Sequence, residues 1–141
     1  MTTMEKTVIT VEATVNAPVE KVWNTWNGSE HIVKWCSPSP DWHTPKADND
    51  LRVGGKLSSR MEAKDGSMGF DLDCFYDEIR DKAYIEYHMA DGRKVKITFK
   101  ANGNQTHISE SFEAESENPV EMQRGGWQAI MDSFKAYCES I

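Results

Sequence analysis

Residues 119–139 read PVEMQRGGWQAIMDSFKAYCE, and this stretch decides the fold. Trp127, Ile130, Met131, Phe134, Tyr137 and Cys138 recur at helical spacing and make one broad apolar stripe. The spacing predicts a long helix over Pro119–Glu139 with one side buried. Gly125 and Gly126 fall inside it. Each costs about 1 kcal/mol against alanine in a helix interior. A compensating reason is expected, either a close backbone approach or space kept for a neighbour.

Upstream of this helix the chain reads as strands and turns. Trp42–Ala47 is a short strand that Pro45 confines to a sheet edge. After Gly54-Gly55, the residues Leu57, Ser59 and Met61 share one face. Phe70–Ile79, Ala83–Met89, Val95–Lys100 and Thr106–Glu115 follow. Asp65-Gly66, Asp91-Gly92 and Asn102-Gly103 mark turns between them. Short strands joined by tight turns make an antiparallel meander. Within Phe70–Ile79, Phe70, Leu72, Cys74 and Tyr76 fit one face, but Phe75 and Ile79 fit the other. A bulge near Cys74 is the simplest cause.

The beginning of the chain adds one strand and two helices. Thr7–Val15 alternates Ile9, Val11, Ala13 and Val15 with polar residues, as a half-buried strand does. Asn16-Ala17-Pro18 ends it, and Pro18 suits the first position of a helix. Val19, Val22, Trp23 and Trp26 then recur at helical spacing up to Asn27-Gly28. A second short helix starts at Ser29, carries Ile32, Val33 and Trp35, and breaks at Ser37-Pro38-Ser39-Pro40. The order is strand, two helices, six strands, helix. A curved sheet gripping one helix leaves a space between them, either filled or a ligand cavity.

Composition limits the function classes. The chain has 141 residues, 38% hydrophobic and 28% charged, which suits one globular domain over 1–141. No apolar run approaches the roughly 20 residues of a membrane span. Sixteen Lys and Arg against 23 Asp and Glu give a net charge of -7, which disfavours nucleic acid. The weak basic cluster Arg93, Lys94, Lys96 and Lys100 reads as a solvated strand face. Cys36, Cys74 and Cys138 form no CxxC, so neither a disulfide framework nor a zinc site is indicated. The opening MTTMEKTVIT lacks the apolar core of a signal peptide, and a cytoplasmic setting is expected.

Few residues suggest chemistry. His31, His43, His88 and His107 show no ligand spacing, and no nucleotide or nucleophile motif is present. No metal, cofactor or catalytic residue is therefore assigned. Cys36 reads as a half-buried free thiol. Tyr84, Glu86 and His88 alternate with Ile85, Tyr87 and Met89, and the apolar set is expected to face the core. Glu110 lies between Ile108 and Phe112 on the inward phase. A buried carboxylate needs a partner or a raised pKa. The alternative is a bulge within Ser109-Glu110-Ser111 that turns Glu110 outward.

Three motifs taken together point to a family. NAPVEKVWNTWNGSEHIVKW (residues 16–35), LRVGGK at Leu51–Lys56 and GGW at Gly125–Trp127 resemble the activator of heat-shock protein 90 ATPase homologue-like family. That family sits within the helix-grip superfamily of START domains and birch-pollen-allergen-like proteins (SRPBCC). The resemblance covers about Val8 to Tyr137. It implies an α+β helix-grip fold, with a curved antiparallel sheet wrapped around the long C-terminal helix and two short helices after the first strand. It also implies a hydrophobic cavity, and it does not imply one reaction. The eukaryotic co-chaperones of the family carry a further amino-terminal domain. This chain starts at the first strand, so co-chaperone activity is not the leading expectation.

The leading expectation is a non-enzymatic binder of a small lipophilic molecule, held between the sheet and the terminal helix. The residues assigned to the cavity are Trp26, Trp35, Met61, Phe70, Leu72, Tyr87, Phe99, Glu110, Trp127 and Met131. The alternatives are a cyclase- or hydrolase-type enzyme using Glu110 with a tyrosine or histidine, and a co-chaperone-like interaction module. Membrane insertion is not expected. A protein partner or a homodimer stays open.

Overall fold

The computed structural model describes residues 7–37 and 39–141. Pro38, part of the expected helix break, and the opening six residues lie outside the described residues. The elements are β1 (Val8–Val15), α1 (Val19–Asn27), α2 (Ser29–Trp35), β2 (Trp42–Asn49), β3 (Lys56–Ala63), β4 (Gly69–Arg80), β5 (Tyr84–Met89), β6 (Lys94–Asn102), β7 (Gln105–Glu113) and α3 (Val120–Ser140). The strands form one curled antiparallel sheet in the order β1-β7-β6-β5-β4-β3-β2. This is the helix-grip α+β architecture. No helix among the described residues is long and apolar enough to cross a membrane.

Local chemistry explains the meander. The β6–β7 hairpin turns through Gly103-Asn104, where Gly103 takes φ +62°, a conformation costly for other residues. The β4–β5 turn carries no glycine signal. Lys82 adopts the left-handed conformation there, at φ 59°. Strand β2 lies at the sheet edge, and its register slips between His43 and Lys46, around Pro45. The missing N–H of proline is harmless at an edge.

The bulge in β4 is not near Cys74. The register with β5 shifts between Tyr76 and Glu78, so Asp77 is the extra residue. Cys74 and Tyr76 are both buried, and the inward phase holds through Tyr76. Asp77 then reverses it and brings Ile79 opposite Ile85. Phe75 never faced inward. It stacks on His88 on the outer face, with ring centroids 5.4 Å apart.

Helix α3 is held mainly by its second half. Met131, Phe134 and Cys138 are fully buried. Trp26, Trp35 and Phe134 form an aromatic cluster with centroids 4.8 to 5.0 Å apart. The indole Nε1 of Trp35 donates to the Thr25 carbonyl at 3.0 Å, which fixes α2 against α1. The first half of α3 is looser. Its start has no side-chain cap. Instead buried Gln123 donates to the carbonyls of Glu115 and Asn118 and accepts from the Glu115 N–H. A Cβ added at Gly125 or Gly126 would meet nothing within 4 Å. Close approach is thus not the reason for this pair, and open space is what lies beside it.

Candidate functional site

Under the first half of α3 the sheet and helices do not close. A void of about 100 Å³ remains between α1, α2, α3 and the concave face of the sheet. Its walls come from distant parts of the chain. Trp26 arrives on α1, Trp35 and Cys36 at the end of α2, Ser59 and Met61 on β3, and Leu72 on β4. Tyr87 arrives on β5, Glu110 on β7, and Trp127 and Ile130 on α3. Met61, Leu72, Trp127 and Ile130 also wall an outer groove of about 540 Å³. The Trp127 ring stacks on Phe112 at 3.8 Å with an 11° tilt, which sets its plane at the boundary between the two spaces.

The ten residues assigned from sequence divide three ways. Trp26, Trp35, Met61, Leu72, Tyr87, Glu110 and Trp127 border the void together. Phe70 borders the outer groove instead and is 47% exposed, because it sits at the start of β4 near the hairpin tip. Phe99 and Met131 do not border the void. Phe99 packs edge-on against Trp23 and Trp26, at 5.1 and 5.8 Å. Met131 is wholly inside the core. Both face inward as expected, but toward the filled end of the interior. Sequence reasoning left out the remaining lining residues, among them Ser59, Leu57 and Ile130. Leu57 and Ser59 share the Met61 face by alternation, and Ile130 lies one helical turn beyond Trp127, so the same periodicities would have found them.

Glu110 is the chemical centre of the void. It is inward and buried, with 6% exposure, and β7 has no bulge at this position. No hydrogen bond or ion pair reaches its carboxyl among the described residues. Burial alone pushes its pKa from 4.5 to about 8. The titratable groups that face it are Cys36, Cys74 and Tyr87. Burial raises both thiols to about 12, and it lifts the Tyr87 phenol well above its usual value. At neutral pH all four groups are predominantly neutral.

Other polar groups at the void are already engaged. Tyr76 Oη donates to Asn49 Oδ1 at 2.6 Å, and Asn49 Nδ2 donates to the Asn27 carbonyl at 2.8 Å. Thr44 Oγ1 donates to the Cys36 carbonyl. Ser59 Oγ and Tyr87 Oη, like Glu110, have no hydrogen-bond partner among the described residues. No fully enclosed side-chain oxygen or nitrogen among those residues lacks a partner, so these three groups keep some accessible surface, and all three residues border the void. None of the four histidines borders it. His31 bonds Tyr137, His43 lies near Glu62, His88 bonds Asp77, and His107 bonds Thr14.

The family model described as "Activator of Hsp90 ATPase homolog 1-like protein" matches residues 16–139. The chain belongs to this family. The AHSA1-like proteins form part of the START/SRPBCC superfamily. An AHSA1-like protein from Aeromonas hydrophila, solved by NMR, is 37% identical, with 95% of this chain and 93% of that one covered at a TM-score of 0.88. A protein from Cytophaga hutchinsonii is 54% identical, with 94% and 92% covered at a TM-score of 0.81. A crystal structure from Chromobacterium violaceum, 22% identical over 94% and 98%, shares the AHSA1-like fold at a TM-score of 0.83. No curated protein matches the sequence. The AHSA1-like fold is a ligand-binding scaffold.

Proposed function

We propose that the protein binds a small lipophilic molecule in the space between the sheet and α3, with Glu110 holding the molecule's polar end. The observation that carries the reading is a buried carboxyl with no partner among the described residues, bordering an otherwise largely apolar void. Native structures rarely leave such a group unmatched, since an unsatisfied buried acceptor costs about 1–3 kcal/mol. A ligand that completes it recovers that loss. Cyclase or hydrolase chemistry would need a second titratable group in hydrogen-bond reach of Glu110. Among the described residues it has none, which favours binding over catalysis.

Native mass spectrometry of the freshly purified protein tests the proposal directly, because a tight ligand co-purifies as a discrete added mass. A thermal-shift screen of uncharged aromatic and alkyl compounds is the second arm. A ligand at a hundredfold excess over its Kd stabilises the fold by about 2.7 kcal/mol. Ile130→Trp, placed at the boundary of void and groove, should weaken every hit. No adduct, no thermal shift and a void occupied by water alone would reject the proposal.

A further inference from the structure

We infer that the head group of the ligand is uncharged and carries a hydrogen-bond donor beside an acceptor, as a primary amide does, and that its apolar tail leaves the void beside Trp127 for the outer groove. This deepens the binding reading and rests on it. Ser59, Tyr87 and Glu110 come from β3, β5 and β7 and are 6%, 8% and 6% exposed. All three border the same void, and none has a hydrogen-bond partner among the described residues. Two hydroxyls and a carboxylic acid together offer donors and acceptors of both kinds. A protonated carboxyl and a primary amide match as a pair. The acid O–H donates to the amide carbonyl, and an amide N–H donates to the acid carbonyl. The Tyr87 hydroxyl, two strands away on β5, is left for the amide's second N–H, and Ser59 adds a further polar group to the lining.

Charge excludes the ionic congeners. Among the described residues no lysine, arginine or histidine borders the void. The groups facing Glu110 are Cys36 at the end of α2, Cys74 on β4 and Tyr87 on β5, and none is a cation. A carboxylate head would enter a buried site with no counter-charge among the described residues. An ammonium head would have to ionise Glu110 and bury both charges, a pairing whose desolvation offsets its attraction.

Volume supplies the second half. The void, about 100 Å³, is smaller than the roughly 150 Å³ of an engineered cavity that holds one benzene. It takes a head and a few carbons. Anything longer continues past the shared walls Met61, Leu72, Trp127 and Ile130 into the groove of about 540 Å³. Open space beside Gly126, which borders that groove, keeps the path clear of side chains.

Calorimetric titration of the ligand-free protein with octanamide, octanoate and octylammonium at pH 7 tests the inference. Octanamide should bind at least about tenfold more tightly than either ion. Tyr87→Phe should weaken octanamide about three- to tenfold, the loss of one neutral hydrogen bond. Raising the pH from 7 to 9 should weaken octanamide severalfold in the wild type but not in Glu110→Gln, whose carboxamide does not ionise. Octanoate or octylammonium binding as tightly as octanamide would overturn the uncharged head and leave the binding proposal standing. If none of the three binds or shifts the melting temperature, the void holds only water and both readings fall.

Discussion

Glu110→Gln should change the pH dependence of stability more than stability itself. In the folded chain the carboxyl titrates near 8, against 4.5 in an exposed setting, and burial is the cause. Between those values the folded state holds a proton that the unfolded state releases. Stability from this group is therefore full below about pH 4.5 and falls as pH rises, at up to about 1.4 kcal/mol per pH unit. From pH 5 to pH 7 the loss comes to roughly 2–3 kcal/mol, and it levels off above pH 8. Glutamine fills nearly the same space, stays neutral, and removes this dependence. Urea denaturation of the ligand-free wild type and variant at pH 5, 6, 7 and 8 measures the difference. The stability of the variant relative to the wild type should rise steadily over that range. In melting temperature the pH 5 to 7 change corresponds to roughly 5–10 °C. Other groups titrate in both proteins and cancel in the comparison. Curves that stay parallel within about 0.5 kcal/mol would mean that the carboxyl is solvated or paired, and the reasoning from burial would be refuted.

Three further outcomes are expected. Gly125→Ala should stabilise the fold by about 0.5–1 kcal/mol, since its added methyl meets nothing and helix propensity improves; a destabilised variant in thermal melts would contradict the open space. Phe134→Ala should cost about 3–5 kcal/mol in denaturant unfolding, because the ring is fully buried against Trp26 and Trp35. Trp127→Ala should cost less, about 2 kcal/mol, since the indole is only partly buried and gains chiefly from its stack on Phe112; equal losses at the two positions would mean that the two halves of α3 are packed alike.

Much of the architecture could be read from periodicity. The stripe in residues 119–139 announced the helix, and strict alternation put Ile85, Tyr87 and Met89 on the core side of β5. The same alternation turned Glu110 inward, where it is found. It misjudged β4, because Phe75 looked like a core residue and is an outer-face ring stacked on His88. One aromatic on the solvent side of a strand imitates a change of phase, and only the partner strand reveals that the extra residue is Asp77.

What the sequence determined by itself was direction: which side chains point toward the interior, and in what order the elements follow. Direction is a local property, fixed by 3.6- and 2-residue periods within each element. Whether the interior is filled at a given point is not local. Phe99 and Met131 point inward as surely as Tyr87 and Trp127, yet the first two meet a wall of tryptophans and core side chains while the second two face a void. The difference depends on volumes supplied by α1, α2, β3 and α3, which lie far apart along the chain. The same holds for Glu110, which has no partner among the described residues. A residue's type and phase say that it is buried, but the absence of a donor or cation beside it is decided only when every other element has taken its place.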